Sequence, residues 1–386
     1  MLEDNLSSSS SSVSTHFDST NTLPSLNEIP KKENSSFNSI IGIGDPIVDI
    51  LSEITTNEIE TYQLKLGDSI FASEDYNERN VEMYKVLESM PLVNYIPGGS
   101  VQNSIRVISW CLNNSTFGRK NFKVSMLGSV GDDSYKNKIE HALFDIGVNP
   151  ILEILKDDKT SRCGVGIYKK EKLFVTQLRA SKRLSEKFIE DNLDKILDHQ
   201  AFLIEGYIIG NKFDVVKKLC DLFCKKKKKI IITLSATFVV KTQHEKIIEL
   251  GNKADIIVGS MGEAKELAGI ERDNYEDVFR NIFMKLKPKK NRILLVTDGA
   301  NGAYCAKYNY EDEEFDFINH YFARKIKDEE IQDLNGAGDA FLGGFLSEYM
   351  KGSSIDDSCK NGINASYVIL KNVGCTFPKK CNLTKV

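Results

Sequence analysis

Along most of the chain, short apolar runs rich in β-branched residues alternate with longer stretches in which apolar positions recur every three or four residues. "SIIGIGDPIVDI" (Ser39 to Ile50), "NFKVSMLGSV" (Asn121 to Val130), "QAFLIEGYII" (Gln200 to Ile209), "KIIITLSATF" (Lys229 to Phe238), "ADIIVGS" (Ala254 to Ser260) and "RILLVTDGA" (Arg292 to Ala300) are nearly continuous apolar runs punctuated by Gly, Ser or Asp. A strand with one wet face would alternate, so these runs predict strands buried on both faces. Between them, "DSYKNKIEHALFDIG" (Asp133 to Gly147) and "NKFDVVKKLCDLFCKKKKK" (Asn211 to Lys229) carry helical spacing. The alternation predicts βαβ units: a three-layer α/β fold with a mainly parallel central sheet and helices on both faces. Ligands then bind beyond the carboxyl ends of the strands.

Two kinds of segment depart from that pattern. Residues about 46 to 66, 92 to 97 and 149 to 179, with a polar hairpin at Lys169 to Lys172, alternate as half-buried strands do and predict a small β-sheet lid over the active face. Gly98 and Gly99 stand where lid would meet core and allow the backbone to bend there, although an ordinary loop would carry the same pair. Residues 1 to 37, with six consecutive serines from Ser7 to Ser12, lack the apolar mass to offset ordering and predict a disordered tail before a single domain at 38 to 386.

Composition narrows the function classes. With 41% hydrophobic residues the chain can build a large core, and a net charge of −4 offers no basic excess for nucleic acid. No apolar stretch reaches the ~18 residues of a membrane span, and the N-terminus has neither a secretory layout nor arginine for a transit peptide, so a cytoplasmic protein without a membrane partner is expected. The eight cysteines form no regular framework and are expected as thiols; Cys220 and Cys224 share a helix face but lack further ligands nearby. The lysine run Lys225 to Lys229 fits a solvated helix end, where cations are favoured.

The chemistry concentrates in "DLNGAGDAFLGGFL" (Asp333 to Leu346). Phe341, Phe345, Leu346 and Tyr349 make a helical stripe ended by Gly352, which puts Gly336, Ala337 and Gly338 at a helix N-terminus. Their N–H groups can converge on an anion, and Asp339 leaves the same turn as a carboxylate base. A base beside an anion site suits phosphoryl transfer; a plain N-terminal helix cap would use the same residues. P-loop, H-R-D and D-F-G signatures are absent, and "GIGDPI" lacks the third glycine of a dinucleotide loop.

That segment resembles the D-T-x-G-A-G-D-x-F signature of the ribokinase-like (PfkB) sugar and nucleoside kinases. "GIGDPIVDI", "GGSVQNSIRV" (Gly98 to Val107), "GSVGDDSYKNKI", "LSATF", "TDGANGAY" and "NVGCTFP" follow in the family's order, and "GGSVQNSIRVISW", "LSATF" and "GCTFP" are most similar to its adenosine kinases. The resemblance implies a ribokinase-like kinase using ATP and Mg2+ to phosphorylate the 5'-hydroxyl of a nucleoside. It implies Asp339 as base and Gly336, Ala337, Gly338 and Asn335 as anion hole, with Asp45, Asp49, Gly98, Gly99 and Asn103 at the substrate. It implies Thr297, Gly299 and Asn364 at the nucleotide, and Glu263 at magnesium through water. Two positions differ from the family: Ser260 stands where its N-x-x-E has Asn, and Asp45 where adenosine kinases have Asn. A sugar kinase on the same fold, or a nucleoside-binding protein without turnover, are the alternatives; a monomer is expected, with a dimer as its alternative.

Overall fold

The computed structural model describes residues 36–63, 69–71, 78–90, 92–113, 121–169, 171–271, 274–287 and 289–383; the tail expected at 1 to 37 lies outside them except for Ser36 and Phe37. Phe37 is buried, donates its N–H to Met350 O at 3.2 Å and sets its ring edge-on against Tyr349.

Among the described residues, fourteen strands form two sheets. They are β1 Ser39–Ile43, β2 Ile47–Glu53, β3 Ser69–Phe71, β4 Asn94–Gly98, β5 Lys123–Gly131, β6 Asn149–Leu155, β7 Ser161–Tyr168, β8 Glu171–Gln177, β9 Ala201–Ile204, β10 Lys229–Thr233, β11 Ile256–Ser260, β12 Arg292–Thr297, β13 Ala303–Asn309 and β14 Glu314–Tyr321. The large sheet runs β14-β13-β12-β11-β10-β9-β1-β5-β6, and the small one β3-β8-β7-β2-β4. From β6 to β12 every pairing in the large sheet is parallel, while β13 and β14 add an antiparallel hairpin at one edge.

The apolar runs become the parallel strands because both their faces are covered. Ile41, Ile43, Phe202 and Ile204 join one buried cluster, with helices Ile209–Lys225 and Tyr275–Leu286; their neighbours Ile40 and Leu203 join another, with helices Ser100–Asn113 and Ala337–Met350. Each such side chain, taken fully out of water, contributes roughly 1.5–3 kcal/mol. No helix among the described residues is long and apolar enough to cross a membrane. Cys111, Cys163, Cys220 and Cys359 are buried thiols.

Residues 149 to 155, expected in the lid, instead form β6, the edge of the large sheet, paired with β5. An edge strand is half covered, so its burial alternates much as a lid strand's does. The stretch after Glu53 is not strand either: Thr55 and Glu58 close a capping box and start helix Thr56–Thr61. The small sheet is built from β2, β4 and the β7–β8 hairpin, with β3 added at its edge; residues 64 to 66 of the expected lid lie outside the described residues.

Candidate active site

Helix Ala337–Met350 starts from Gly336, whose φ of 77° is left-handed, and a side chain there would also stand 2.8 Å from Cys375 Cβ. At Gly338 an added Cβ meets nothing within 4 Å, so the first turn presents bare backbone to open space. Unpaired N–H groups and the positive end of the helix dipole make that turn a place for an anion.

Asp339 leaves this turn already bonded. Ser100 Oγ donates to its Oδ1 at 2.7 Å and Asn103 Nδ2 to its Oδ2 at 3.0 Å, both from the first turn of helix Ser100–Asn113. Burial pushes the Asp339 carboxyl above the usual carboxylate range, the two donors pull it back, and Glu263 pushes it up again. The result is a carboxylate fixed in orientation yet more basic than a solvated aspartate, as a general base requires.

The diglycine is there because an acid side chain and a main-chain carbonyl crowd it. A Cβ on Gly98 would stand inside the Asp49 carboxylate, and one on Gly99, at φ 94°, would strike the Asp45 carbonyl oxygen. Asp49 lies on β2 between Ile96 of β4 and Cys163 of β7. Burial, then Asp333 and Asp339, push its carboxyl up to about 7 against the opposing pull of Arg106 and Lys172. Asp45, beyond the end of β1, is raised by burial and pulled back by a Ser181 hydrogen bond and by Lys182 and Lys212.

Asp333, which opens the signature, is buried and fully bonded. It accepts from Asn335 N at 3.0 Å, Asn335 Nδ2 at 2.8 Å and Gly374 N at 2.8 Å, and pairs with Lys172 of the small sheet at 2.5 Å. Asn335 therefore turns its amide onto Asp333. Thr297 closes β12 beside Ser260 at the end of β11, and Gly299, at φ 53°, would meet nothing with a Cβ. Ser260 caps helix Met261–Ala268 through a reciprocal pair: Glu263 N donates to Ser260 Oγ at 3.3 Å and Ser260 N to Glu263 Oε2 at 3.1 Å. Serine thus fills the capping position, and burial raises the Glu263 carboxyl. Asn364 stands apart from the acids, in a cavity of about 380 Å³ with His320, Phe322 and Arg324, whose Nη1 donates to Asn364 Oδ1 at 3.1 Å.

Four participants escaped the sequence reading. Ser100 follows the diglycine directly and could have been read as an N-terminal hydroxyl. Glu205, at the end of β9, accepts from Asp45 N at 2.6 Å and Val101 N at 3.3 Å, and burial with Asp45 pushes it up to about 8. Arg106 donates to Pro97 O and Cys375 O at 3.1 Å each, tying the small sheet to the C-terminal segment. Nothing in the local spacing marks Arg106 or Lys172, because their partners are distant in sequence.

A first-turn carboxylate held by two donors, beside an open helix N-terminus at the carboxyl edge of a parallel sheet, defines the α/β small-molecule kinases of ribokinase-like fold. Residues 61–381 match the pfkB family of carbohydrate kinases, and the chain belongs to that family. It is similar to adenosine kinase 2 of Arabidopsis thaliana, 28% identical over 352 residues that cover 88% of this chain and 96% of the relative. It is likewise similar to the adenosine kinase of Dictyostelium discoideum, 28% identical over 347 residues, 88% of this chain and 96% of the relative. Among solved structures it superposes on Trypanosoma brucei brucei adenosine kinase with a TM-score of 0.77 at 25% identity, covering 88% of this chain and 100% of the other. The Anopheles gambiae adenosine kinase bound to P1,P4-di(adenosine-5) tetraphosphate gives 0.74 at 25% identity, covering 88% and 98%.

Proposed function

We propose that this chain is an ATP-dependent kinase that phosphorylates the 5'-hydroxyl of adenosine or a close purine nucleoside. The observation that carries it is Asp339, held by Ser100 and Asn103 in the first turn of a helix whose bare N-terminus faces the same opening. Asp339 takes the hydroxyl proton as the oxygen attacks the terminal phosphorus, and the N–H groups at Gly336, Ala337 and Gly338 take the developing charge. Asp49, with Asp45 behind it, accepts from the sugar hydroxyls, and a substrate donor there replaces the water that burial has removed. The small sheet acts as a lid that excludes water from the reacting groups.

An aromatic pair supports a flat base on the acceptor. Tyr207 and Phe238 are 39% and 51% exposed, lie 6.0 Å apart, and Tyr207 is close enough to Glu205, Glu263 and Asp339 for their charges to raise its hydroxyl further after burial. Exposed rings beside a polar cleft suit a purine better than a free sugar. For the donor, Thr297 and Gly299 lie toward the phosphates, and the cavity of His320, Phe322 and Asn364 takes the base. Magnesium fits this donor set only through water: Glu263 spends one oxygen on Ser260 N, and among the described residues no cluster of three acidic, His or Cys groups could hold a metal alone. Magnesium would neutralise phosphate charge; Glu263 would orient its waters.

Turnover of adenosine, inosine, guanosine, ribose and fructose with Mg-ATP tests the substrate. Adenosine is expected fastest. Fastest turnover of a free sugar would overturn the nucleoside reading, and no turnover of any of them would favour a binding protein.

A further inference from the structure

The small sheet that presents Asp49 on one face bounds a second cavity on the other. Val48 pairs with Arg162 and Arg162 with Gln177, one residue out of phase with the Asp49–Cys163 row, so these side chains face away from the acids. The cavity holds about 730 Å³ and is lined by Tyr95, Arg162 and Gln177 from the small sheet, by Tyr135 and Lys138 from helix Ser134–Asp145 after β5 of the large sheet, and by Lys159 from the β6–β7 connection. That is ample for a small ligand.

Its charge is unbalanced. The Lys138 ammonium lies 4.2 Å over the Tyr95 ring, and among the described residues neither it nor Lys159 has a carboxylate partner. Asp133, also at the wall, spends its oxygens on Tyr135 N, Lys136 N, Thr160 N and Thr160 Oγ1. Glu88 pairs with Arg162 at 3.4 Å, and Arg179 pairs with Asp158 at 3.0 Å. Two ammonium groups against the one Asp133 carboxylate leave the wall net positive beside the Glu88-paired Arg162 guanidinium, an arrangement suited to an anion.

We propose that this cavity binds a small organic phosphate, and that its occupancy is coupled to the position of the small sheet. The coupling follows from the walls: they come from the small sheet and from segments attached to the large one, so any change in the angle between the sheets changes the cavity, and a ligand that prefers one angle alters substrate affinity reciprocally. The site is separate from the catalytic cleft and does not depend on which nucleoside fills it.

The test is isothermal titration of the full chain with glucose 6-phosphate, guanosine monophosphate and citrate, with and without adenosine and a non-hydrolysable ATP analogue in the cleft. At least one phosphate ester is expected to bind one-to-one with the cleft filled; which one distinguishes a sugar phosphate from a nucleotide. Lys138→Glu and Lys159→Glu should each weaken that binding by about tenfold or more, the scale of a lost charged contact. Both variants should keep the kcat/KM of the parent when no ester is present. Absence of ester binding, equal binding of citrate, or indifference to both reversals would overturn the site. An unchanged KM for the acceptor at saturating ester would overturn the coupling.

Discussion

Asp339 and Asp49 are two carboxylates of one cleft, carried by two different sheets' worth of structure, and their surroundings differ in kind. Asp339 stands on a helix packed into the core and receives two hydrogen bonds from a second core helix. Asp49 stands on the small sheet, where burial and two neighbouring acids outweigh Arg106 and Lys172 and bring it to about 7. The core side is complete before any ligand arrives; the small-sheet side holds an acid near its midpoint that a hydroxyl donor would relieve. Under the proposed function, the base Asp339 is preorganised by the core helices, whereas Asp49 would draw its stabilisation from substrate and from a closed small sheet.

The largest effect falls on the preorganised side. Asp339→Asn keeps the shape and removes the proposed base, so kcat should fall by about a thousandfold or more while nucleoside affinity changes only a few-fold; turnover within tenfold of the parent would place the base elsewhere. Asp49→Asn should act on recognition, lowering kcat/KM by about 10- to 100-fold through weaker bonds to the sugar, mostly in KM. Lys172→Met removes the cation joining the small sheet to Asp333, which keeps its three N–H donors. A stability loss of about 1–3 kcal/mol is expected by denaturant titration, and the acid limb of kcat/KM should move to higher pH because Asp49 loses an opposing charge.

The smallest effect concerns Glu205. Its folded carboxyl sits near 8, above its ordinary value, so folding stability is present at low pH and is lost as pH rises through about 8. Glu205→Gln cannot ionise. Its Tm should fall less than the parent's between pH 6 and pH 9, even though losing one acceptor lowers it throughout; parallel Tm curves would show that Glu205 is not the titrating group.

The same contrast decides what the sequence makes legible. Parallel strands such as Ile256–Ser260 and Arg292–Thr297 are continuous apolar runs because both faces are dry, and the signature helix is announced by Gly336 and its apolar stripe. Strand β6 alternates like the small sheet's strands because it lies at an edge, so pattern alone assigns it to the wrong sheet. Asp339, Asn103 and the diglycine are legible because short motifs carry them. Ser100 lies within such a motif but looks like an ordinary cap, and the Lys172–Asp333 and Asp45–Glu205 contacts join residues about 160 apart, where no spacing rule reaches.

The division of labour between the two carboxylates is tested most directly by the pH dependence of kcat/KM for adenosine in the parent and in Asp49→Asn. A free-enzyme carboxyl near 7 that must be ionised to bind the sugar predicts that kcat/KM in the parent is full above pH 8 and falls tenfold per unit well below about 7. In Asp49→Asn that limb should disappear, leaving a lower but flat profile down to the titration of Asp339. A limb near pH 7 that persists in the variant would contradict the account and assign the titrating group to the core side of the cleft.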